Sequence, residues 1–350
     1  MTDGTRTPSP HRVLELATEP ARRVLEGAFT ASGTSPMEAA RIVDALLDAE
    51  ACEVPTHGLL RVPWYLAALR SGSVSGGTAP SVERLQPAVA LIDGHGSYGY
   101  LPTWLAVEEA TVGARTCGVG VAGVRRIAEF GRAAYYVSEL ARRGFVGIAC
   151  QNTMPLIAPP GAKTATHGNN PLAFSAPGDD APVFDAALTP RSGGELRRRA
   201  LLGIPLPAEW GYTDEDGTPT TDPRLAASVP QQAIGGPKGF GVAVLVDLLA
   251  GIMSGAESGV GVAPGEPTTG AMVIAFDPEA FGTTAAGVSE QLSRSAEVVR
   301  DAGGRWPGDR ARSARTAALE RGSILVPEPI LAAAFDEVGD ALHACVIGES

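Results

Sequence analysis

Thr56-His57-Gly58-Leu59-Leu60-Arg61-Val62-Pro63-Trp64-Tyr65, followed by Leu69-Arg70-Ser71-Gly72, is the stretch on which the reading turns. Leu59, Leu60, Tyr65, Leu66 and Leu69 recur at helical spacing and Gly72 is placed to end the run, which predicts a helix over 58–70. His57 and Arg61, four residues apart, then share one face of its first turns. One can exchange a proton and the other can hold a carboxylate through a bidentate fork. Taken alone, an i,i+4 His/Arg pair more often marks a solvated face, so its meaning depends on what the rest of the chain supplies.

Upstream, Ser35-Pro36-Met37-Glu38 has the form of a capping box with Pro at the first helical position. Ala39, Ile42, Val43, Leu46 and Leu47 extend it into a helix over 36–52. Downstream, from residue 88, β-rich runs alternate with helical ones: strands at 89–92, 119–124 and 146–150, helices at 101–116 and 132–143. That alternation predicts an α/β fold. The Pro-, Gly- and Thr-rich stretch 155–170 reads as a loop, with strands at 172–175 and 183–187 after it. Residues 211–223 form a polar connector, and Gly235-Gly236-Pro237-Lys238-Gly239 opens an apolar helix reaching about residue 253. A strand at 271–276, an amphipathic helix at 289–301, a strand at 324–326 and a helix at 329–342 complete the chain, which has no internal repeat.

With 350 residues, two compact domains, or one domain with a large insertion, are expected. The net charge of −11 opposes a phosphate-tracking surface, and the Arg runs at 197–199 and 310–315 are isolated, so nucleic acid is not an expected partner. No apolar run of membrane-spanning length and no leader pattern precedes the folded part, which implies a cytoplasmic protein with a short frayed tail over residues 1–12. Cys52, Cys117, Cys150 and Cys345 are too scattered for a metal or disulfide framework, and no metal is expected. Only two of the 28 basic residues are lysines, Lys163 and Lys238. A G-x-G-x-x-G after a strand is absent, as are G-x-x-x-x-G-K-[ST], H-E-x-x-H and G-x-S-x-G. A Rossmann site, nucleotide hydrolysis, zinc proteolysis and α/β-hydrolase chemistry therefore have no support.

The opening stretch resembles the signature with which malate/L-lactate dehydrogenase-like oxidoreductases begin their active site. Further blocks match in order: Phe130-Gly131 with Ala133-Ala134-Tyr135-Tyr136, Gly147-Ile148-Ala149 with Asn152, and Ala158-Pro159-Pro160-Gly161. Gly168-Asn169-Asn170-Pro171-Leu172, Asp185-Ala186-Ala187, Gly217-Thr218-Pro219-Thr220-Thr221-Asp222-Pro223, Gly235 to Gly239 and Pro307-Gly308-Asp309 follow. The resemblance covers nearly the whole chain. It implies a non-Rossmann, mixed-sheet cofactor domain over 86–299 with a connector insertion around 190–234, plus a discontinuous helical domain from 1–85 and 300–350. It also implies NAD or NADP as cofactor, a homodimer with its active site near the subunit interface, and a small-molecule substrate such as a 2-oxo acid or cyclic imine.

By the same resemblance His57 is the proton donor and Arg61 the carboxylate clamp, with Asn152 and Thr153 beside the substrate. Asp185, Ala187, Leu188, Thr189, Pro237, Lys238, Pro307, Gly308 and Asp309 are the expected cofactor contacts, Lys238 gaining from a helix N-terminus. Departures fall near the chemistry. The usual Asn-His-Phe-Gly block reads Ala128-Glu129-Phe130-Gly131, the usual Lys after the Asp-bearing strand is Glu195, and Gly-Thr-Asn-Pro is Gly168-Asn169-Asn170-Pro171, with His167 just before it. Glu129 in the catalytic centre, ionised at its ordinary pKa, would repel a 2-oxo acid and favour an iminium or amine. Two readings stay open: an NAD(P)-dependent oxidoreductase acting on C=O or C=N in a specialised biosynthetic pathway, and a redox-inactive lyase, cyclase or binding protein on the same scaffold.

Overall fold

In the computed structural model residues 11–349 are described, so the first ten positions of the expected tail lie outside the described residues. From Val13 the chain alternates half-buried and buried residues as strand β1 (Val13–Ala17), then enters helices α1 (Thr18–Ala31) and α2 (Pro36–Ala51). Only the N-cap half of the capping box forms: Ser35 Oγ accepts from the Glu38 amide at 3.2 Å and Pro36 takes the first helical position, while the Ser35 amide donates to the Gly76 carbonyl at 3.1 Å.

The helix expected over 58–70 begins later. Its first part is instead two single 3₁₀ turns, Pro55–His57 and Leu59–Arg61, leading into α3 (Val62–Ser71). Gly58 is extended between them, and a Cβ there would lie 2.1 Å from Glu50 Oε1, which accepts from the Leu59 amide at 2.7 Å. The buried carboxylate takes an amide donor at this point, and only glycine leaves room for it. His57 and Arg61 therefore sit on successive turns rather than on one helical face.

Strands β2 (Ser81–Gln86) and β3 (Val89–Ser97), helix α4 (Tyr100–Cys117), β4 (Val119–Ile127), α5 (Ala133–Arg142) and β5 (Val146–Gln151) build the centre. They are joined by β6 (Leu172–Ser175), β7 (Val183–Ala186) and, after α6 (Gly193–Leu201), α7 (Pro223–Ala227) and α8 (Pro237–Val246), by β8 (Thr269–Phe276). The seven strands lie in the order β2-β3-β4-β8-β5-β6-β7. Only β3 and β4 run parallel, so the sheet is mixed. The pleat of β8 shows how both faces are filled: Ala271, Val273 and Ala275 join the core under α4 and α5, while Met272 joins the core under α8. The helix expected to reach residue 253 changes to a π-helical turn at Asp247–Ile252.

Helices α9 (Ala285–Asp301) and α10 (Asp309–Arg321) lead back to β9 (Ser323–Pro327), α11 (Glu328–Val338), α12 (Asp340–His343) and β10 (Val346–Glu349). Here β1 lies between β10 and β9, antiparallel to both. This small sheet and its helices share a second core containing Leu16, Leu25, Phe29, Leu46, Leu66, Ile324 and Leu331. β2, assigned from sequence to the helical part, pairs instead with β3 at the edge of the large sheet. The connector is itself folded: Leu196, Leu206 and Ala226 cluster, and the Arg191 and Arg199 guanidinium carbons stand 4.2 and 4.7 Å from the Trp210 ring centre. No described helix is long and apolar enough to cross a membrane.

Candidate active site

A cavity of about 1020 Å³ opens between the two cores. Its walls are the 3₁₀ turns and α3, the loop after β4, the segment after β5, the end of β7, the start of α6 and the loop leading into α10. The volume suits a dinucleotide with a small substrate beside it.

At one end stands a charged cluster. Arg61 is buried, donating from Nε to the Thr56 carbonyl at 2.8 Å and from Nη1 to the Tyr65 hydroxyl at 3.2 Å and to Glu129 Oε2. The Tyr65 hydroxyl also donates to Glu129 Oε2 at 2.9 Å and lies 3.1 Å from the Tyr100 hydroxyl. Glu129 is thus turned onto Arg61. Its backbone is fixed on two sides: the Gly99 amide donates to the Glu129 carbonyl at 2.9 Å, and buried Gln151 donates to the Ala128 carbonyl at 2.7 Å while accepting from the Phe130 amide at 3.2 Å. Gly131 follows at φ +80, where a Cβ would meet the Tyr100 ring at 2.5 Å.

His57 lines the same space, with Thr56 Oγ1 3.0 Å from its Nδ1. Burial, then the Arg61 and Arg132 guanidinium groups, hold its imidazole well below the ordinary histidine value, so it is neutral at physiological pH. Asp185 accepts from the Ala134 amide at 2.9 Å and lies 3.7 Å from Arg132 Nε. Burial pushes its carboxyl up, opposed by Arg132 and by that amide.

Of the residues expected from sequence, His57, Arg61, Glu129, Thr153, Asp185, Ala187, Pro307 and Gly308 line the cavity. Leu188 and Thr189 are buried in the scaffold, Leu188 bonded through its amide to the Asn169 carbonyl at 2.7 Å. Asn152 is committed to the framework, donating to Asp247 Oδ1 and the Glu257 carbonyl at 3.1 and 2.7 Å and accepting from the Gly270 amide at 2.9 Å. Asp309 pairs with Arg300 at 2.8 Å, and exposed Pro237 and Lys238 open α8 outside the cavity lining. Sequence reading passed over Gln151, Trp64 and Arg197, all of which line the cavity. Arg197 lay inside a run of arginines that looked like a solvated patch.

A mixed-sheet scaffold whose large cavity holds a neutral histidine and an arginine paired with a glutamate fits an oxidoreductase that uses a nicotinamide outside a Rossmann fold. Residues 16–333 match the malate/L-lactate dehydrogenase family, and the chain belongs to it. It is an NAD(P)-dependent dehydrogenase or reductase of that family. It is 32% identical to the Delta(1)-pyrroline-2-carboxylate reductase of Pseudomonas fluorescens over 87% of this chain and 92% of the relative. It is also 32% identical to the (2R)-3-sulfolactate dehydrogenase (NADP(+)) of Chromohalobacter salexigens, over 89% and 94%. Among solved structures, delta1-piperideine-2-carboxylate reductase from Pseudomonas syringae pvar. tomato superposes with a TM-score of 0.83 at 29% identity, covering 92% of this chain and 99% of that one.

Proposed function

We propose that the enzyme reduces the C=N bond of a small carboxylate-bearing imine in preference to the C=O bond of a 2-oxo acid. The observation that carries this reading is Glu129 on Arg61, beside His57, in one cavity. A carboxylate at that position attracts a cationic nitrogen and repels a second anion. The named relatives that act on pyrroline- and piperideine-carboxylates support the same choice.

A nicotinamide dinucleotide fits the residues at the far end. Gly308 is left-handed at φ +94, where a Cβ would press on Val183 at 3.0 Å, and it places the first amides of α10 beside the cavity-lining Arg310. Pro307, Gly308, Asp185 and Ala187 would hold the dinucleotide, which when bound supplies the hydride. His57 is oriented by Thr56 through Nδ1, leaving Nε2 to give or take the substrate proton. Asp185 holds the start of α5 and, with Arg132, the charge balance beside that ring.

The proposal extends to a homodimer in the cytoplasm, serving a specialised biosynthetic route. Val244, Leu245, Leu248, Ile252 and Met253 form an exposed apolar ridge along α8 and its π-helical turn, with Lys238 at the N-terminal end. Pairing through that ridge would bring Lys238 to a partner's cofactor. The two cores are proposed as the two structural units of the chain, the cofactor unit carrying the folded connector. Titrating the protein with NADH and NADPH while following nicotinamide fluorescence, then supplying a cyclic 2-imino acid, tests the hydride reading. Absence of binding by either dinucleotide would overturn it.

A further inference from the structure

We infer that Arg197, together with the amides of Gly193 and Gly194, forms the subsite that receives the substrate's carboxylate, Arg61 being occupied by Glu129. The inference rests on the proposed imine reduction for the identity of the reacting bond, but not for the charge of the ligand.

Of its five N–H donors, Arg61 has only the Nη2 pair free of a partner among the described residues. Its Nε edge is spent on the Thr56 carbonyl, and Nη1 serves both Tyr65 and Glu129. A bidentate fork would need Glu129 displaced or two carboxylates crowded on one guanidinium, which repel each other.

Arg197 is in the opposite condition. It lines the cavity, and among the described residues no hydrogen bond or ion pair engages its guanidinium. It stands over the Trp64 ring, whose centre lies 5.6 Å from the Arg197 guanidinium carbon and 5.8 Å from that of Arg61. Two guanidinium groups thus flank one indole, and among the described residues only Arg61 of the two is paired with a carboxylate. Arg197 is exposed at the cavity's edge, where partial desolvation and then the Arg61 charge push its pKa down.

The backbone of α6 completes the subsite. Ser192 Oγ caps the Glu195 amide at 3.2 Å, and the Glu195 carboxylate is turned to Arg198 and Arg199 at 2.8 Å each, so the acid in the first turn is neutralised away from the cavity. Gly193 and Gly194 line the cavity, and among the described residues no acceptor occupies their amides. Arg197 lies one turn further on, and helical side chains lean toward the N-terminus, so its guanidinium covers the same spot. A Cβ on Gly194 would lie 3.1 Å from Thr56 Cβ, which places this turn against the one that carries His57. Helix amides and an arginine converging on one point make an anion site.

With the carboxylate there, the adjacent C=N carbon lies between the two cores and its nitrogen faces Glu129. The class selected is a zwitterionic 2-iminium monocarboxylate. Dicarboxylates are disfavoured because Glu129 stands where a second carboxylate would go.

Calorimetry with two planar probes, pyrrole-2-carboxylate and pyrrole-2-carboxamide, on NADPH-saturated protein tests this. Arg197→Ala should weaken the carboxylate about ten- to a hundredfold, the range of a charge-assisted contact, while leaving the carboxamide within about twofold. Arg197→Lys should recover part of the loss, and NADPH affinity should not change. Equal losses for both probes, no loss for either, or a native protein that does not distinguish them would each overturn the assignment. NADPH binding is measured first. If it fails, the hydride reading falls, and the same two-probe comparison is made without dinucleotide.

Discussion

Replacing Glu129 by Gln removes one charge from the Arg61 cluster with almost no change in shape. The amide oxygen can still accept from Arg61 and Tyr65, so the turn held by Gln151 should keep its form. Two unit charges about 4 Å apart at an effective dielectric of 20 interact by about 4 kcal/mol. Arg61 is 8% exposed but Glu129 is 47% exposed, so most of that figure is screened. An effect on the order of 1 kcal/mol survives, about fivefold in selectivity. The expected result is that Glu129→Gln raises kcat/KM for pyruvate and oxaloacetate relative to a cyclic 2-imino acid by about that factor, with the larger part in the imine term. Glu129→His, which restores the family's usual residue, should move the ratio further by adding a proton donor. Initial rates of NADPH oxidation with the three substrates in all three proteins give the comparison. A ratio that stays flat across the series would refute the argument, because it would mean that the substrate does not feel the Glu129 charge.

Other outcomes follow from the same geometry. Because the His57 pKa is depressed, its protonated form is scarce at neutral pH; kcat/KM for reduction should rise as pH falls, with a midpoint below the ordinary histidine value, and His57→Gln should lower kcat about a hundredfold or more and abolish that rise. Glu38 is buried with its carboxyl pushed up to about 8, so the folded state keeps a proton that the unfolded state releases at lower pH. Stability should therefore fall between the ordinary glutamate range and about pH 8, and Glu38→Gln should raise the melting temperature more at pH 8 than at pH 5. On the α8 ridge, Leu248→Glu with Ile252→Glu should convert a dimer to monomers in sedimentation. Lys238→Ala in the intact dimer should weaken NADPH binding by about 1 to 3 kcal/mol, and no change would remove Lys238 from the site.

What the sequence disclosed was what local chemistry controls. The helix at Pro36 was readable because its cap lies within four residues, and the strands at 146 and 172 because their apolar runs are bounded by turn residues. The turn at His57 was misread as helix because the reason for Gly58 is the Glu50 carboxylate, which folds under it from the preceding helix. β1 and β10 were missed because each is completed by a strand from the other end of the chain. Arg197 hid in a charged run, yet a wheel could have separated it: Glu195 reaches Arg198 and Arg199 at i+3 and i+4, and position 197 then projects on the opposite side. The Glu129 substitution was visible, but its contact with Arg61 joins residues 68 apart and only the fold could supply it.

The small sheet that holds β1 between β9 and β10 also sets an order of events during synthesis. The turns bearing His57 and Arg61 rest on a core that includes Ile324, Val326, Ile330 and Leu331. On a ribosome those turns are made early and then wait through more than two hundred further residues for their support. The large sheet can close while the chain is still growing, since its last strand ends at Phe276. The wall that carries His57 and Arg61 cannot, because its supporting residues in β9 and α11 are among the last to leave the tunnel. A nascent chain stalled short of β9 would thus carry all seven strands of the large sheet without the core that supports the His57 turn.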